Sequence, residues 1–389
     1  MIDYKYIKEK YNTPLFVYDI NVLHERIKYL KSNFNKNFNF AYAVKANTFI
    51  IKETDSLVER FEICSQGEYE ICEKLGISRN KMVISGVNKD NEFIEDLISK
   101  YDDVCKYTVE SYTQYELLNE LSEKYKRNIN VLIRLTSGNQ FGVSKECLLN
   151  IIKEHNNKYL NIDGIEFFAG TEKHSLAIIE KDINYINELV NEIENDLKFE
   201  IKEIEYGPGL PVFYFQSDSF DEDSYLNDLN KLIEKFGNKK ITLEVGRSIA
   251  ASCGSYLTSV VDIKDNKNGN FVILDGGINH LVYYGQMMAM KVPHFEVIPE
   301  KDKNKVVYNL CGSLCTTNDL LIKNIELNEL SIGDTFIFKN TGAYSSTEGI
   351  ALFLSRELPK VVLVKDNHDI LVRNNNKTSV INCPNYEEE

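Results

Sequence analysis

Short β-type runs alternate with segments of helical periodicity through the middle of the chain, and this alternation limits the possible folds more than any other feature. In segments such as 114–121 and 179–197, apolar residues recur every three or four positions, which predicts helices. The eight β-type runs between residues 38 and 246 are Phe38–Val44, Phe61–Cys64, Met82–Ser85, Tyr107–Val109, Val131–Arg134, Ile162–Phe168, Ile204–Tyr206 and Ile241–Glu244. Because eight strand–helix units close a barrel, the pattern favours a (β/α)8 barrel over a doubly wound sheet.

After Arg247 the pattern changes to extended runs separated by turns, which predicts a mostly β second domain. These runs include Gly254–Val261, Phe271–Leu274, Lys305–Tyr308, Thr335–Phe338 and Lys360–Val364. The strand-like segment Pro14–Tyr18 precedes the barrel, and we expect it to join the C-terminal sheet because chain termini often meet across a domain. The predicted domains are therefore a barrel at 25–247 and a β-sandwich or β-barrel-like domain at 1–24 plus 248–389, with a solvated tail at Tyr386–Glu389.

The composition restricts the classes of function. The 389 residues include 45 Lys plus Arg and 59 Asp plus Glu, a net charge of −14, which argues against nucleic acid or an anionic membrane as partner. No apolar run approaches the roughly 18 residues that span a bilayer, and no signal-peptide core follows Met1. Eight cysteines without a CxxC pair argue against a disulfide framework or a metal site. These features predict a cytoplasmic globular protein.

The active site of a (β/α)8 barrel lies at the carboxyl ends of its strands, so the residues that end each run are the candidates. Lys45 ends the first run, and its apolar neighbours would lower the pKa of its ammonium group towards a nucleophilic amine, although a strand-end lysine can also simply extend to solvent. Gly207 and Gly209 follow the seventh run and would let backbone N–H groups approach an anion, or serve only as turn residues. Glu244 and Arg247 follow the eighth run and could form a structural salt bridge.

Six short stretches together resemble one known family, the fold-type III pyridoxal phosphate decarboxylases, which include ornithine, arginine and diaminopimelate decarboxylases. The stretches are Val44–Asn47, Phe141–Gly142, the glycine loop at 207–209, Glu244–Arg247, Cys315 with Asp319, and Gly342–Tyr344. The resemblance implies an alanine-racemase-like (β/α)8 barrel followed by a mostly β domain, with pyridoxal 5'-phosphate as the cofactor. It also implies a head-to-tail homodimer whose active sites are shared between subunits.

The same resemblance implies a role for each matching residue. Lys45 would hold the cofactor covalently, and Glu244 would pair with its protonated pyridine nitrogen, which improves the ring as an electron sink. Cys315 of the partner subunit would protonate the substrate carbon that loses the carboxylate. The other cofactor-binding residues implied are Phe168, Thr171 (where the family often has serine), Gly207, Gly209, Arg247 and Tyr344.

Departures from the family pattern bear on the substrate. Phe168 stands where most members have a histidine stacked on the cofactor ring. The residue after the catalytic cysteine, an acid that meets the distal ammonium in ornithine and diaminopimelate decarboxylases, is Thr316 here. Val282–Tyr284 replaces the Ile-Arg-Pro segment that binds a distal carboxylate in diaminopimelate decarboxylases. We therefore expect Thr316, Asp319 and Tyr283 to face the substrate.

The pattern Cys-Gly-x-Leu-Cys-Thr-x-x-Asp is closer to the branch that acts on conjugated amino acids, such as carrier-protein-bound glutamate or citryl-diaminopropionate. The sequence thus predicts decarboxylation of a modified or carrier-tethered L-amino acid, with a diaminopimelate or basic-amino-acid decarboxylase as the alternative. A racemase on this fold is disfavoured by Glu244, because alanine racemases have arginine at the pyridine nitrogen. A non-catalytic regulator resembling antizyme inhibitors is disfavoured by the retention of Lys45, Glu244, Arg247, Cys315 and Tyr344.

Overall fold

Strands and helices alternate through the chain up to residue 250, and strands dominate after it. The structure, a computed structural model, describes residues 2–302 and 304–385, so the predicted tail Tyr386–Glu389 lies outside the described residues. In chain order the strands are β1 (Leu15–Asp19), β2 (Asn39–Ala43), β3 (Arg60–Ile63), β4 (Met82–Ile84), β5 (Lys106–Val109), β6 (Ile129–Leu135), β7 (Leu160–Phe168), β8 (Glu203–Gly207), β9 (Lys240–Val245), β10 (Gly254–Asn266), β11 (Gly269–Leu274), β12 (Phe295–Ile298), β13 (Lys305–Cys311), β14 (Leu320–Asn328), β15 (Thr335–Lys339), β16 (Lys360–Lys365) and β17 (His368–Arg373).

The helices complete the alternation and several begin at a capping side chain. They are α1 (Tyr4–Tyr11), α2 (Ile20–Ser32), α3 (Ile51–Thr54), α4 (Gln66–Lys74), α5 (Asn91–Lys100), α6 (Tyr112–Tyr125), α7 (Lys145–Glu154), α8 (Leu176–Asp196), α9 (Glu222–Ile233), α10 (Arg247–Ala250) and α11 (Ser379–Asn382). Ser65, Ser111 and Ser144 each accept a hydrogen bond from the backbone N–H three residues on, which fixes the start of α4, α6 and α7. The predicted helical segments 114–121 and 179–197 fall on α6 and α8.

The chain divides into two units. One consists of Arg26–Pro211 and Asp221–Ile249, and the other of Met1–Glu25, Val212–Phe220 and Ala250–Glu389. The sequence-based barrel range of 25–247 thus includes Val212–Phe220, which the structure places in the other unit.

The first unit contains a closed barrel of eight parallel strands, β2 to β9. Each of the eight β-type runs read from the sequence is one of these strands, so the predicted (β/α)8 barrel is confirmed. The barrel closes where β2 pairs with β9, with Phe40 beside Leu243 and Tyr42 beside Val245. Alternate residues of a strand face opposite sides, which turns polar side chains of β3, β8 and β9 towards the barrel interior.

A largely buried group of charges, which we call the basal ion cluster, lies at the amino-terminal ends of the barrel strands. It consists of Arg60, Lys106, Asp163, Glu203 and Glu205. Arg60 donates to both carboxylate oxygens of Glu203 and, at 3.1 Å, to Glu205, while Lys106 contacts Asp163 and lies 3.4 Å from Glu203. Because Arg60, Lys106 and Glu203 each begin a strand, the cluster closes the end of the barrel opposite the carboxyl ends.

The second unit contains a nine-stranded mixed sheet, which confirms the predicted mostly β C-terminal domain. β10 is shared: its residues 254–259 pair with β1 and β15, and its residues 260–266 pair with β11. β1 pairs antiparallel with β10 and parallel with β16, so the segment before the barrel joins the C-terminal sheet as predicted. No helix in the described part of the chain combines the length and apolar character needed to cross a membrane.

Candidate active site

Lys45 contacts two buried glutamates at the carboxyl end of the barrel. It follows β2 directly, in the single helical turn 44–46. Its Nζ lies 2.5 Å from Oε2 of Glu62 and 3.4 Å from Oε1 of Glu244. Because β3 and β9 are the two neighbours of β2, the carboxylates approach Lys45 from either side. The structure therefore brings together the predicted Lys45 and Glu244 and adds Glu62, which sequence reasoning missed.

The charges around Lys45 correct one expectation. Burial acts to lower the pKa of Lys45, as predicted, but the carboxylates of Glu62 and Glu244 outweigh it and hold this pKa well above its ordinary value. Burial would in turn raise the pKa of Glu62, but the Lys45 charge holds it well below its usual range. The pKa of Glu244 is raised, first by burial and then by the neighbouring Glu62. The expectation of a lowered Lys45 pKa is thus wrong, because it rested on the apolar sequence neighbours alone.

Cys64 also belongs to this group. Its Sγ donates to Oε1 of Glu62 at 3.0 Å and lies 3.7 Å from Nζ of Lys45. Burial, followed by the charge of Glu62, raises the pKa of the thiol and keeps it protonated. The sequence carried a signal for both residues, since Glu62 and Cys64 alternate with apolar residues in the second β-type run.

A glycine loop after β8 packs against Phe168. A Cβ atom added to Gly207 would lie 2.2 Å from Cδ2 of Phe168, and one added to Gly209 would lie 2.2 Å from the carbonyl oxygen of Gly170. Gly209 also has a φ of +63°, a left-handed conformation that favours glycine. Larger residues are therefore excluded at both positions, and the loop keeps its backbone close to Phe168 and Thr171.

The glycine loop, Phe168 and Thr171 form a second group of site residues, and Arg247 is its positively charged member. It begins α10 directly after β9 and is buried, and its Nε donates to Oγ1 of Thr171 at 3.3 Å. Nε also lies 3.6 Å from Oε1 of Glu172, a carboxylate that sequence reasoning did not consider. A guanidinium, a hydroxyl and glycine backbone together make a donor set suited to a phosphate.

These two groups fit pyridoxal phosphate. Lys45 would offer the amine for its aldehyde, Glu244 a carboxylate for its protonated ring nitrogen, Phe168 an aromatic face, and Arg247 with Thr171 the donors for its phosphate. When bound, the cofactor supplies an electron-poor ring that accepts the electrons released as an α-carboxylate leaves. The protein's residues would hold the ring, orient it and fix the charges around it.

The remaining predicted site residues belong to the sheet unit. Cys315 is exposed on the loop 312–319 between β13 and β14, and Thr316 beside it is half-buried. Asp319 is buried, and its carboxylate accepts hydrogen bonds from the backbone of Ile278 at 2.9 Å and of Leu314 at 2.7 Å. Burial raises the pKa of Asp319. One Asp319 oxygen therefore binds the loop that carries Cys315 and the other binds the backbone of Ile278, and the expected contact of Asp319 with the substrate stays a prediction.

Tyr283 and Tyr344 differ in burial and in backbone conformation. Tyr283 is 5% exposed and its hydroxyl donates to the backbone oxygen of Lys339 at 2.7 Å, so this hydroxyl already has a partner. Tyr344 is half-buried and has a φ of +65°, which is rare for a bulky residue and concentrates at functional sites. Tyr283 thus packs in the interior of the sheet unit, and the role of Tyr344 in holding the cofactor stays a prediction.

The fold and the two groups of site residues define a pyridoxal phosphate-dependent enzyme. The family described as "Pyridoxal-dependent decarboxylase, C-terminal sheet domain" matches residues 15–342. The chain belongs to this family and is an amino-acid decarboxylase, a lyase that uses pyridoxal phosphate.

Relatives agree with this assignment and differ in substrate. The diaminopimelate decarboxylase of Aquifex aeolicus (strain VF5) is 27% identical over 361 residues, covering 88% of this chain and 84% of that protein. The L-glutamyl-[BtrI acyl-carrier protein] decarboxylase of Niallia circulans is 24% identical over 399 residues (94% and 92%). The 2-[(L-alanin-3-ylcarbamoyl)methyl]-2-hydroxybutanedioate decarboxylase of Staphylococcus aureus (strain NCTC 8325 / PS 47) is 25% identical over 378 residues (89% and 93%).

Among solved structures, the diaminopimelate decarboxylase of M. jannaschii in complex with L-lysine has the same fold. It superimposes with a TM-score of 0.85 at 24% identity, covering 98% of this chain and 94% of that one.

Proposed function

We propose that this decarboxylase removes the α-carboxylate of an L-amino acid whose distal end is conjugated, through an amide or a carrier-protein thioester. The observation that carries the proposal is a cavity of about 290 Å³ in the sheet unit, beside the loop that bears Cys315 and Thr316. Its lining consists of Ile278, Leu281, Val282, Tyr283, Gln286, Met287, Met288, Ala289, Pro293, Asn318, Leu320 and Leu321. None of the described residues that line it is charged.

A cavity of this kind suits an uncharged substrate arm. Free ornithine and diaminopimelate carry a charged distal group, and a charge buried without a partner costs several kcal/mol. Thr316 offers a hydroxyl, which cannot neutralise an ammonium, and the hydroxyl of Tyr283 is bonded to Lys339. An amide, thioester or long acyl arm avoids these penalties and gains from apolar contacts with the methionine side chains.

The relatives support both this proposal and its alternative. The Niallia circulans protein is named for a carrier-bound glutamyl substrate and the Staphylococcus aureus protein for a conjugated alanine derivative. The Aquifex aeolicus relative is named for diaminopimelate, and a diaminopimelate or basic-amino-acid decarboxylase is therefore the second candidate.

Steady-state kinetics test the proposal. We expect kcat/KM for an L-glutamyl thioester of an acyl carrier protein, or for an amide-conjugated diamino acid, to exceed that for free diaminopimelate or ornithine at least tenfold, about 1.4 kcal/mol. The reason is the missing partner for the distal charge. Efficient decarboxylation of either free diamino acid, in the range of about 10⁴ M⁻¹s⁻¹ or above, would favour the second candidate instead.

Thr316→Asp should shift this preference. An acid after Cys315 would supply the counter-charge for a distal ammonium, so we expect kcat/KM for free ornithine or diaminopimelate to rise about tenfold. Thr316→Ser is the matched control, because it keeps the hydroxyl and should leave the preference as in the unmodified protein. No gain in the Thr316→Asp protein, with its folded state shown by circular dichroism, would mean that residue 316 does not face the distal group.

We also propose that the enzyme works as a homodimer in which Cys315 of one subunit completes the barrel site of the other. Cys315 is exposed, as a residue must be to act on a partner's substrate. Mixing inactive Lys45→Ala and Cys315→Ala proteins should restore up to about a quarter of the full activity, because half of the dimers would be mixed and each would hold one intact site. Absence of recovery, with subunit exchange demonstrated by mass spectrometry, would contradict the shared site.

A further inference from the structure

Glu166 is a buried carboxylate with no hydrogen bond in the barrel. It lies on β7, two residues before Phe168, and is 1% exposed. Neither of its oxygens receives a hydrogen bond from any residue in the described part of the chain. Its only close charged contact there is Nε of Arg134, 3.3 Å from Oε1. A buried ionised carboxylate normally accepts several hydrogen bonds, so this geometry suits a carboxyl group that holds a proton.

The surroundings of Glu166 explain why it would keep that proton. The charged or titratable groups that face it are Arg134 on β6, Glu244 on β9, Glu205 on β8, Glu62 on β3 and Lys89 after β4. Arg134 divides its positive charge between two carboxylates, because its Nη1 also donates to Oε2 of Glu110 at 3.1 Å. Burial first, and then the carboxylates of Glu244, Glu205 and Glu62, raise the pKa of Glu166 well above its ordinary value, against the charge of Arg134.

We propose that Glu166 is a positioning residue of the cofactor site, which holds a proton in the cofactor-free barrel and releases it when pyridoxal phosphate binds beside Glu244. The inference rests on the proposed role of Glu244. A protonated ring nitrogen at Glu244 brings a positive charge towards Glu166, and a positive charge favours the ionised form of a nearby carboxyl. The proton passes to the solvent, and no other bond changes. Ionised Glu166 then pairs with Arg134 and adds to the negative charge that keeps the ring nitrogen protonated.

Calorimetry measures this proton directly. Pyridoxal phosphate is titrated into the cofactor-free protein in two buffers of different ionisation enthalpy, and the difference in heat gives the protons released per site. We expect Glu166→Gln to release fewer protons than the unmodified protein, by up to about one per site. The affinity of the unmodified protein for the cofactor should therefore change with pH more steeply than the affinity of Glu166→Gln, by up to about tenfold per pH unit. Protons exchanged by other groups are released by both proteins, so they cancel in the difference between the unmodified protein and Glu166→Gln.

Glu205→Gln is the matched control. Glu205 is also buried on the barrel interior and burial raises its pKa to about 8, but its hydrogen bond comes from Arg60 in the basal ion cluster. We expect this variant to release as many protons as the unmodified protein. Equal release by the Glu166→Gln and unmodified proteins, or the same decrease in both variants, would overturn the assignment. If Glu166→Gln fails to fold, Glu166→Asp keeps a titratable group and should retain the release, and its loss would also overturn the assignment.

The stability of the cofactor-free protein gives a second measurement. A carboxyl whose pKa is raised by folding contributes stability below its unfolded pKa of about 4.3 and loses this contribution as the pH rises through its folded pKa. As the pH rises above this unfolded pKa, the unmodified protein should therefore lose stability relative to Glu166→Gln, and its folding equilibrium constant should fall by up to about tenfold more per pH unit. A difference that does not change with pH would contradict a protonated Glu166. Failure of the substrate proposal would change only the kinetics and leave both measurements intact.

Discussion

Replacement of Lys45 by alanine is expected to lower kcat by at least about a thousandfold, because no other amine would hold the cofactor at the carboxyl end of β2. Lys45 lies between Glu62 and Glu244, and the second of these is the proposed partner of the ring nitrogen. The variant should also retain less pyridoxal phosphate after dialysis. Turnover is measured as carbon dioxide release, and bound cofactor by absorbance.

Reduction of the loaded protein with borohydride identifies the lysine itself. We expect peptide mapping to find the label on Lys45. The barrel offers a real competitor in Lys89, which is buried and whose pKa burial lowers to about 8, so its amine is freer than that of Lys45. Lys89→Ala is therefore the matched control and should still be labelled at Lys45. A label on Lys89 in the unmodified protein would refute the assignment of Lys45.

Replacement of Glu244 by glutamine should cost about a hundredfold in kcat, roughly 2.7 kcal/mol, because an amide cannot balance a protonated ring nitrogen. Glutamine keeps the shape of the side chain, so the loss would report the missing charge and not a cavity. The arginine and glycine loop that would hold the phosphate are untouched, and cofactor binding should weaken less than turnover. Rates and cofactor affinity are measured on the same preparation.

The control for Glu244→Gln is again Glu205→Gln, which removes a buried carboxylate from the same barrel interior. It should alter the pH dependence of stability while kcat stays within about threefold of the unmodified protein. A similar kcat for the Glu244→Gln and unmodified proteins would remove Glu244 from the catalytic group.

The barrel could be predicted because eight short β-type runs alternate with amphipathic helices, and that number of units closes a barrel. The strands β12, β14 and β17 of the sheet unit were harder to see. β17 is largely exposed and β14 mixes charged with apolar residues, so neither shows a clear period. Each pairs with the strand just before it, β17 with β16 and β14 with β13, through a shifted register that local sequence does not specify.

The site was predicted only in part, because strand ends can be read from the sequence whereas contacts between strands cannot. Lys45, Glu244 and Arg247 lie at or just after the ends of strands. Glu62 and Cys64 alternate with apolar residues in the second run, but only the pairing of β2 with β3 shows that they contact Lys45. The pKa of Lys45 depends on the pairing of β2 with both β3 and β9, which brings Glu62 and Glu244 to it, and this is why the apolar neighbours gave the wrong direction. Asp319 shapes a loop through hydrogen bonds to backbone, and no sequence pattern separates that from substrate contact.

The basal ion cluster has a consequence for how such a barrel can be divided. Arg60 and its partner Glu203 are 143 positions apart, on β3 and β8, and Lys106 lies between them in the chain. A fragment ending after β6 would contain both cations and neither Glu203 nor Glu205, and burying one such charge alone costs roughly 3–5 kcal/mol. Neither half is therefore a self-sufficient module. Recombination between relatives should exchange the whole barrel, since each half carries only one sign of the charge that the other must neutralise.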